Sequence, residues 1–88
     1  MSLRDFIEDT LRLDFEGEYQ DDSYIVTLNN SNDFSKAFDD IANNKDLELV
    51  DSKTNSSTCT YIYTDGDYEV KVSAIFGLDN YKIMVGER

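Results

Sequence analysis

The residues whose type and spacing could do chemistry are three carboxylates, Asp14, Glu16 and Glu18. They alternate with Leu11, Leu13, Phe15, Gly17 and Tyr19 along one stretch, Leu11–Tyr19. Two-residue alternation places successive side chains on opposite faces of a strand. With Leu13, Phe15 and Tyr19 turned inward, the acids form an outward row spaced on the order of 6.8 Å, twice the rise per residue. Such a row can serve two purposes: acid–base catalysis by a carboxylate pair, or display of negative charge to a cationic partner.

Composition weighs against catalysis. A carboxylate pair can hydrolyse a glycoside, but a chain of 88 residues leaves little room for a cleft that encloses a sugar. Histidine is absent, which removes the commonest general base and every Ser-His or Cys-His pair. One cysteine without histidine also leaves almost no ligands for zinc. Cys59 belongs to the alternating run Cys59, Tyr61, Tyr63, which reads as a small buried side chain without an activating cation. Neither GxxxxGK[ST] nor GxGxxG occurs, and glycines 17, 66, 77 and 86 read as turn or bulge positions. Asp65-Gly66-Asp67-Tyr68-Glu69 has the look of a calcium loop but lacks its length and its distant bidentate glutamate. The expectation is a non-enzyme with no catalytic residue, no metal site and no cofactor.

Charge favours display. Eight basic and 19 acidic residues give a net charge of −11. Residues 1–51 hold 14 acids and 4 bases, net −10, whereas residues 52–88 hold 5 acids and 4 bases, net −1. An acidic surface aids solubility, but solubility does not require the excess to lie in one half. The sign opposes direct nucleic-acid binding, which needs cations to neutralise phosphates. Tyr61 and Tyr63 could resemble a base-stacking pair, yet they read as cross-strand packing.

The elements that must position these acids follow from periodicity. Ser2 with Asp5 has the form of a capping box, and Leu3, Phe6, Ile7 and Leu11 recur at helical spacing, predicting a helix over 2–11. The alternating strand follows almost at once, and Gln20-Asp21-Asp22-Ser23 turns the chain into a second strand, Tyr24–Leu28. Phe34, Ala37, Phe38 and Ile41 mark a second amphipathic helix, started by one of the residues 29–32 and stopped at Asn43-Asn44. From Lys45 the pattern is β: a short strand at Leu47–Val50, a polar loop over 51–57, and a strand at Thr58–Thr64. A two-residue hairpin turn at Asp65-Gly66 follows, then a strand at Tyr68–Phe76 and a last one marked by Tyr81, Ile83 and Val85 before a frayed tail. The order α-β-β-α-β-β-β-β predicts a single α+β domain, residues 1–88, with two helices packed as one layer on a mostly antiparallel sheet.

Two functions are compatible with this pattern. One is a stoichiometric inhibitor that mimics nucleic acid and occupies the basic cleft of a nuclease or other host defence protein, of the anti-restriction or anti-CRISPR type found in phages and mobile elements. Its partner-binding residues would be Glu8, Asp9, Asp14, Glu16, Glu18, Asp21, Asp22, Asp39 and Asp40. The other is a small interaction module (an adaptor, an immunity-type partner or a homodimer) that binds through aromatics or an edge strand, its acids serving only solubility. No stretch reads as a signal peptide or approaches the ~20 apolar residues of a membrane span, so a soluble cytoplasmic protein is expected, in the host cytosol if phage-encoded.

Overall fold

The computed structural model describes residues 2–11, 13 and 15–88. Ser2 is extended and its hydroxyl accepts from the Asp5 N–H at 3.1 Å, capping helix α1, Leu3–Asp5. The helix then widens into a single π turn, Phe6–Thr10, closed by the Leu11 N–H donating to the Phe6 carbonyl at 3.1 Å. A wider turn suits this sequence because Phe6, Ile7 and Leu11 all end buried on one side.

The alternating stretch departs from expectation. Among its described residues, only Glu18–Gln20 is strand (β1). The Leu13 N–H donates to the Ile7 carbonyl at 3.0 Å, and the Gly17 N–H donates to the Tyr24 hydroxyl at 2.9 Å. Backbone groups that a strand would commit to a neighbour are thus bonded to a helical turn and a side chain. Burial still alternates: Leu13 is buried, Phe15 packs against the core, and Glu16 and Glu18 are exposed. Tyr19, expected inward, is 56% exposed; its ring meets Tyr24 edge-on at 4.8 Å and its hydroxyl accepts from the Arg4 N–H.

Strand β2 spans Ser23–Leu28, joined to β1 by Asp21 and Asp22, with Asp21 at φ 55°. Helix α2, Ser31–Ala42, is capped by Asn30, whose side-chain oxygen accepts from the N–H groups of Asn32 and Asp33 at 2.8 and 3.2 Å. Phe34, Ala37 and Ile41 form its buried stripe, with Phe38 partly buried beside them. The remaining chain is a meander of β3 (Glu48–Thr54), β4 (Thr58–Thr64), β5 (Tyr68–Ile75) and β6 (Asn80–Glu87). The six strands form one antiparallel sheet in the order β1-β2-β6-β5-β4-β3, and α2 carries the chain from β2 to the far edge. The protein is a mixed α+β fold dominated by its sheet.

Register shows what the sheet buries. Three cross-strand rows share one face: Tyr24–Val85–Val70–Tyr63–Leu49, Val26–Ile83–Val72–Tyr61–Ser52 and Leu28–Tyr81–Ala74–Cys59–Thr54. Phe6 stacks on Tyr68 at 4.6 Å, Phe34 on Tyr81 at 4.5 Å, and Phe38 lies 5.0 Å from Tyr61. These rings and the β2, β6, β5 and β4 members of the three rows belong to one core cluster, whose central members Val26, Val70, Val72, Ile83 and Val85 are wholly buried, while Leu49, Ser52 and Thr54 on β3 are exposed. The opposite face carries Ile25–Met84–Lys71–Ile62–Asp51 and Thr27–Lys82–Ser73–Thr60–Lys53.

Four further expectations are corrected. Strand β3 continues through 51–54, where a loop is expected; these residues lack an apolar period, so pairing with β4 alone makes them strand. The loop shrinks to Asn55–Ser57, held by the Asn55 side chain accepting from the N–H groups of Ser57 and Thr58 at 3.0 and 2.9 Å. The Asp65-Gly66 turn is longer than two residues, since Thr64 pairs with Glu69. Only Gly66 takes positive φ there, 102°, while Asp65 accepts from the N–H groups of Asp67 and Tyr68. Phe76, expected to end the strand that starts at Tyr68, instead starts a 3-10 turn (Phe76–Leu78) and is exposed. The tail is strand to Glu87, and the Arg88 N–H donates to the Asp67 carbonyl at 2.9 Å.

Candidate acidic surface

The acids expected to bind a partner do not share one site. Asp9 and Asp40 come together: both line an open groove of about 580 Å³ where the π turn and the end of α2 meet. The ends are tied by Asn44, whose side-chain N–H donates to the Thr10 carbonyl at 3.0 Å. Asp46 lines the same groove, with Lys45 its cation. Lys45 and Asp46 also line a shallower depression that brings in Glu48, Asp65 and Arg88. Asp9, Asp40, Asp46, Glu48 and Asp65 thus border two adjoining hollows whose cations are Lys45 and Arg88. Asp39 is exposed and does not line the groove. It follows from the helical repeat, which turns the next side chain about 100° around the axis.

Glu8 and Glu16 lie near Arg4. The Arg4 Nε donates to Glu8 Oε1 at 3.1 Å, the one ion pair within 4.0 Å among the described residues. That hydrogen bond and the Glu8 charge hold the guanidinium above its ordinary pKa, with smaller contributions from Tyr24 and Glu16. Glu18 lies opposite Ile25, on the sheet face away from the aromatic core. Asp21 and Asp22 occupy the exposed β1–β2 tip. Asp14 lies outside the described residues. Glu16 and Glu18 are therefore not consecutive teeth of a regular strand, because the strand starts only at Glu18.

Sequence reasoning missed Asp46, Glu48 and Asp65 as neighbours of Asp9 and Asp40. Its available signal was Asn43-Asn44: a helix stopped there returns the next acid toward the helix end. Nothing local announces that Asp65, at a distant hairpin, shares a hollow with Glu48; that follows from the Glu48–Thr64 pairing.

One thiol and two phenols have raised pKa values. Burial raises the pKa of the Cys59 thiol and of Tyr63, the latter helped by Tyr61. Tyr81 is raised by burial, then by its hydroxyl donating to Asp79 Oδ1 at 3.1 Å and by the Asp79 charge. Among the described residues, no cluster of three carboxylates or thiols is arranged to hold a metal ion, and no helix is long and apolar enough to cross a membrane. No family model, no curated protein and no solved structure matches this chain.

Proposed function

We propose that this is a non-enzymatic acidic binding protein, a stoichiometric inhibitor that occupies the basic nucleic-acid-binding cleft of a nuclease or other defence protein in the host cytosol. The supporting observation is the run of Asp9, Asp40, Asp46, Glu48 and Asp65 around two joined hollows, where Lys45 and Arg88 are the cations among the described lining residues. Apart from Glu8, the described acids have no described lysine or arginine within ion-pair distance, which supports a charge left for a partner. The two helices are read as one layer over the sheet, which gives the acids a stiff mount. Ordered carboxylates lose little conformational freedom on docking, and opposite charge accelerates encounter. The anti-restriction or anti-CRISPR class fits this chemistry, with a basic protein surface as partner and neither nucleic acid nor membrane bound directly.

The test is capture from a host lysate with salt-gradient elution, followed by a nuclease assay on the recovered protein. The expected result is a DNA- or RNA-handling enzyme released at moderate salt, because exposed charges are screened within about 8 Å at physiological ionic strength. Reversing Asp9, Asp40 and Asp46 to Lys should then abolish inhibition, with thermal stability equal or higher through reduced repulsion. Inhibition that survives this triple reversal would overturn the proposal for this surface.

A further inference from the structure

Among the described residues, the sheet leaves one long edge unpaired. All seven residues of β3 are exposed, with Leu49 and Val50 each 48% accessible, and β4 is the strand's one neighbour in the sheet. We infer that two copies of this chain pair antiparallel through β3, with Asp51 of each copy facing Lys53 of the other.

Backbone polarity fixes which residues can take part. The Asn55 N–H donates to the Thr58 carbonyl at 2.9 Å, which makes these two a hydrogen-bonded pair across β3 and β4. Antiparallel ladders alternate bonded and non-bonded pairs. Lys53/Thr60 and Asp51/Ile62 are then bonded pairs, and Ser52/Tyr61 and Thr54/Cys59 non-bonded ones. The N–H and C=O of Ser52 and Thr54 therefore point outward, available to another strand. The β4–β5 side agrees: the Phe76 N–H donates to the Ser57 carbonyl at 3.0 Å, and the same alternation turns the Cys59 backbone toward β5.

Sequence then selects a second copy over a foreign strand. A two-fold axis through Ser52 sets Ser52 opposite its counterpart and brings Asp51 opposite Lys53 twice. Both side chains lie on the face away from the aromatic core, in the rows of Ile62 and Thr60, so each opposed pair projects to the same side. Opposite charges directly across a ladder are favourable, whereas like charges are not. A lysine and a bulge usually guard an edge against pairing; here the lysine's charge is answered by the chain's own aspartate. Location helps as well: β4 carries no charged residue, so a chain of net charge −11 meets a locally near-neutral strip at this edge. The other edge, β1, offers three residues beside Asp21 and Asp22.

Sedimentation equilibrium on the intact chain at about 0.15 M salt tests this. The expected species has twice the 10.1 kDa chain mass. Asp51→Lys or Lys53→Asp alone should weaken association roughly tenfold or more, and the combined Asp51→Lys/Lys53→Asp exchange should restore it. Ser52→Pro, which deletes an outward N–H that β4 does not use, should give a folded monomer by circular dichroism. A monomer from micromolar to submillimolar concentration overturns the inference, as does a dimer indifferent to the single reversals. An exchange that fails to restore association overturns the Asp51–Lys53 register.

Discussion

The two edges of the sheet are closed by opposite means. At β1 the ladder is three residues long, and the backbone leading into it is bonded to the Ile7 carbonyl through Leu13 and to the Tyr24 hydroxyl through Gly17. Packing and irregular hydrogen bonds finish that side. At β3 the ladder is seven residues long, interrupted by a bulge between Leu49 and Asp51, and its outer backbone groups face water. The first edge is sensitive to volume, the second to charge and to partners. One sheet thereby separates a margin that secures the fold from a margin open to association.

The largest effect expected from this contrast is at Gly17. A Cβ there would collide with the Ile25 carbonyl oxygen and sit 2.7 Å from the Tyr24 ring. The ring edge can swing aside, but the carbonyl belongs to β2, which pairs with both β1 and β6. Gly17→Ala should therefore cost about 1–3 kcal/mol, the range for overpacking a filled site, read as a lower urea midpoint. An unchanged midpoint would show that the β1 margin is loose, and the contrast between the edges would fail.

The same contrast explains what the sequence could and could not reveal. Residues 13–18 alternate well, and the alternation correctly separates buried Leu13 and partly buried Phe15 from exposed Glu16 and Glu18. It does not report hydrogen-bond partners, and those went to a helical turn and a phenol. Residues 51–54 show the converse: no apolar member marks a period, yet each has a register partner on β4. Alternation follows burial, and an edge strand exposed on both sides has none to display. Interior elements were legible because burial and period coincide there, as in Val70, Val72 and Ala74 or Phe34, Ala37 and Ile41. The acid surface was half legible. Asp9 and Asp40 lie on predicted helices, but their union with Asp46, Glu48 and Asp65 depends on helix-end packing and long-range register.

A smaller effect is expected in alkali, on the strand next to the β3 edge. Tyr63 pairs with Leu49, and Cys59 pairs with Thr54. Both groups have folded pKa values raised by burial, as does Tyr81. The folded state thus holds these protons more tightly than the unfolded chain. Their stabilisation is complete below the unfolded values, about 8.5 for a thiol and about 10 for a phenol, and is lost as pH climbs through the folded ones. Urea midpoints should stay level from neutrality to about pH 8 and fall above it, most steeply past about pH 10. Tyr63→Phe should flatten the upper part of that fall. An equally steep decline in the variant would mean that burial does not perturb the Tyr63 phenol.

The smallest effect belongs at Val50. This residue sits in the bulge, has no partner across β4 in the register, and is half exposed. Its side chain has little buried area to lose, so Val50→Lys should shift stability by no more than about 0.5 kcal/mol, the usual span for surface substitutions. A lysine at Val72, wholly buried in the middle of the sheet, would unfold the chain, since an unpaired charge would enter the core. Urea unfolding at protein concentrations low enough to keep β3 unpaired isolates the intrinsic term. A loss well beyond 0.5 kcal/mol would show that the bulge is packed from a side the exposed strand does not reveal. The two edges would then differ in length alone, and the openness of β3 to a second copy would lose its structural ground.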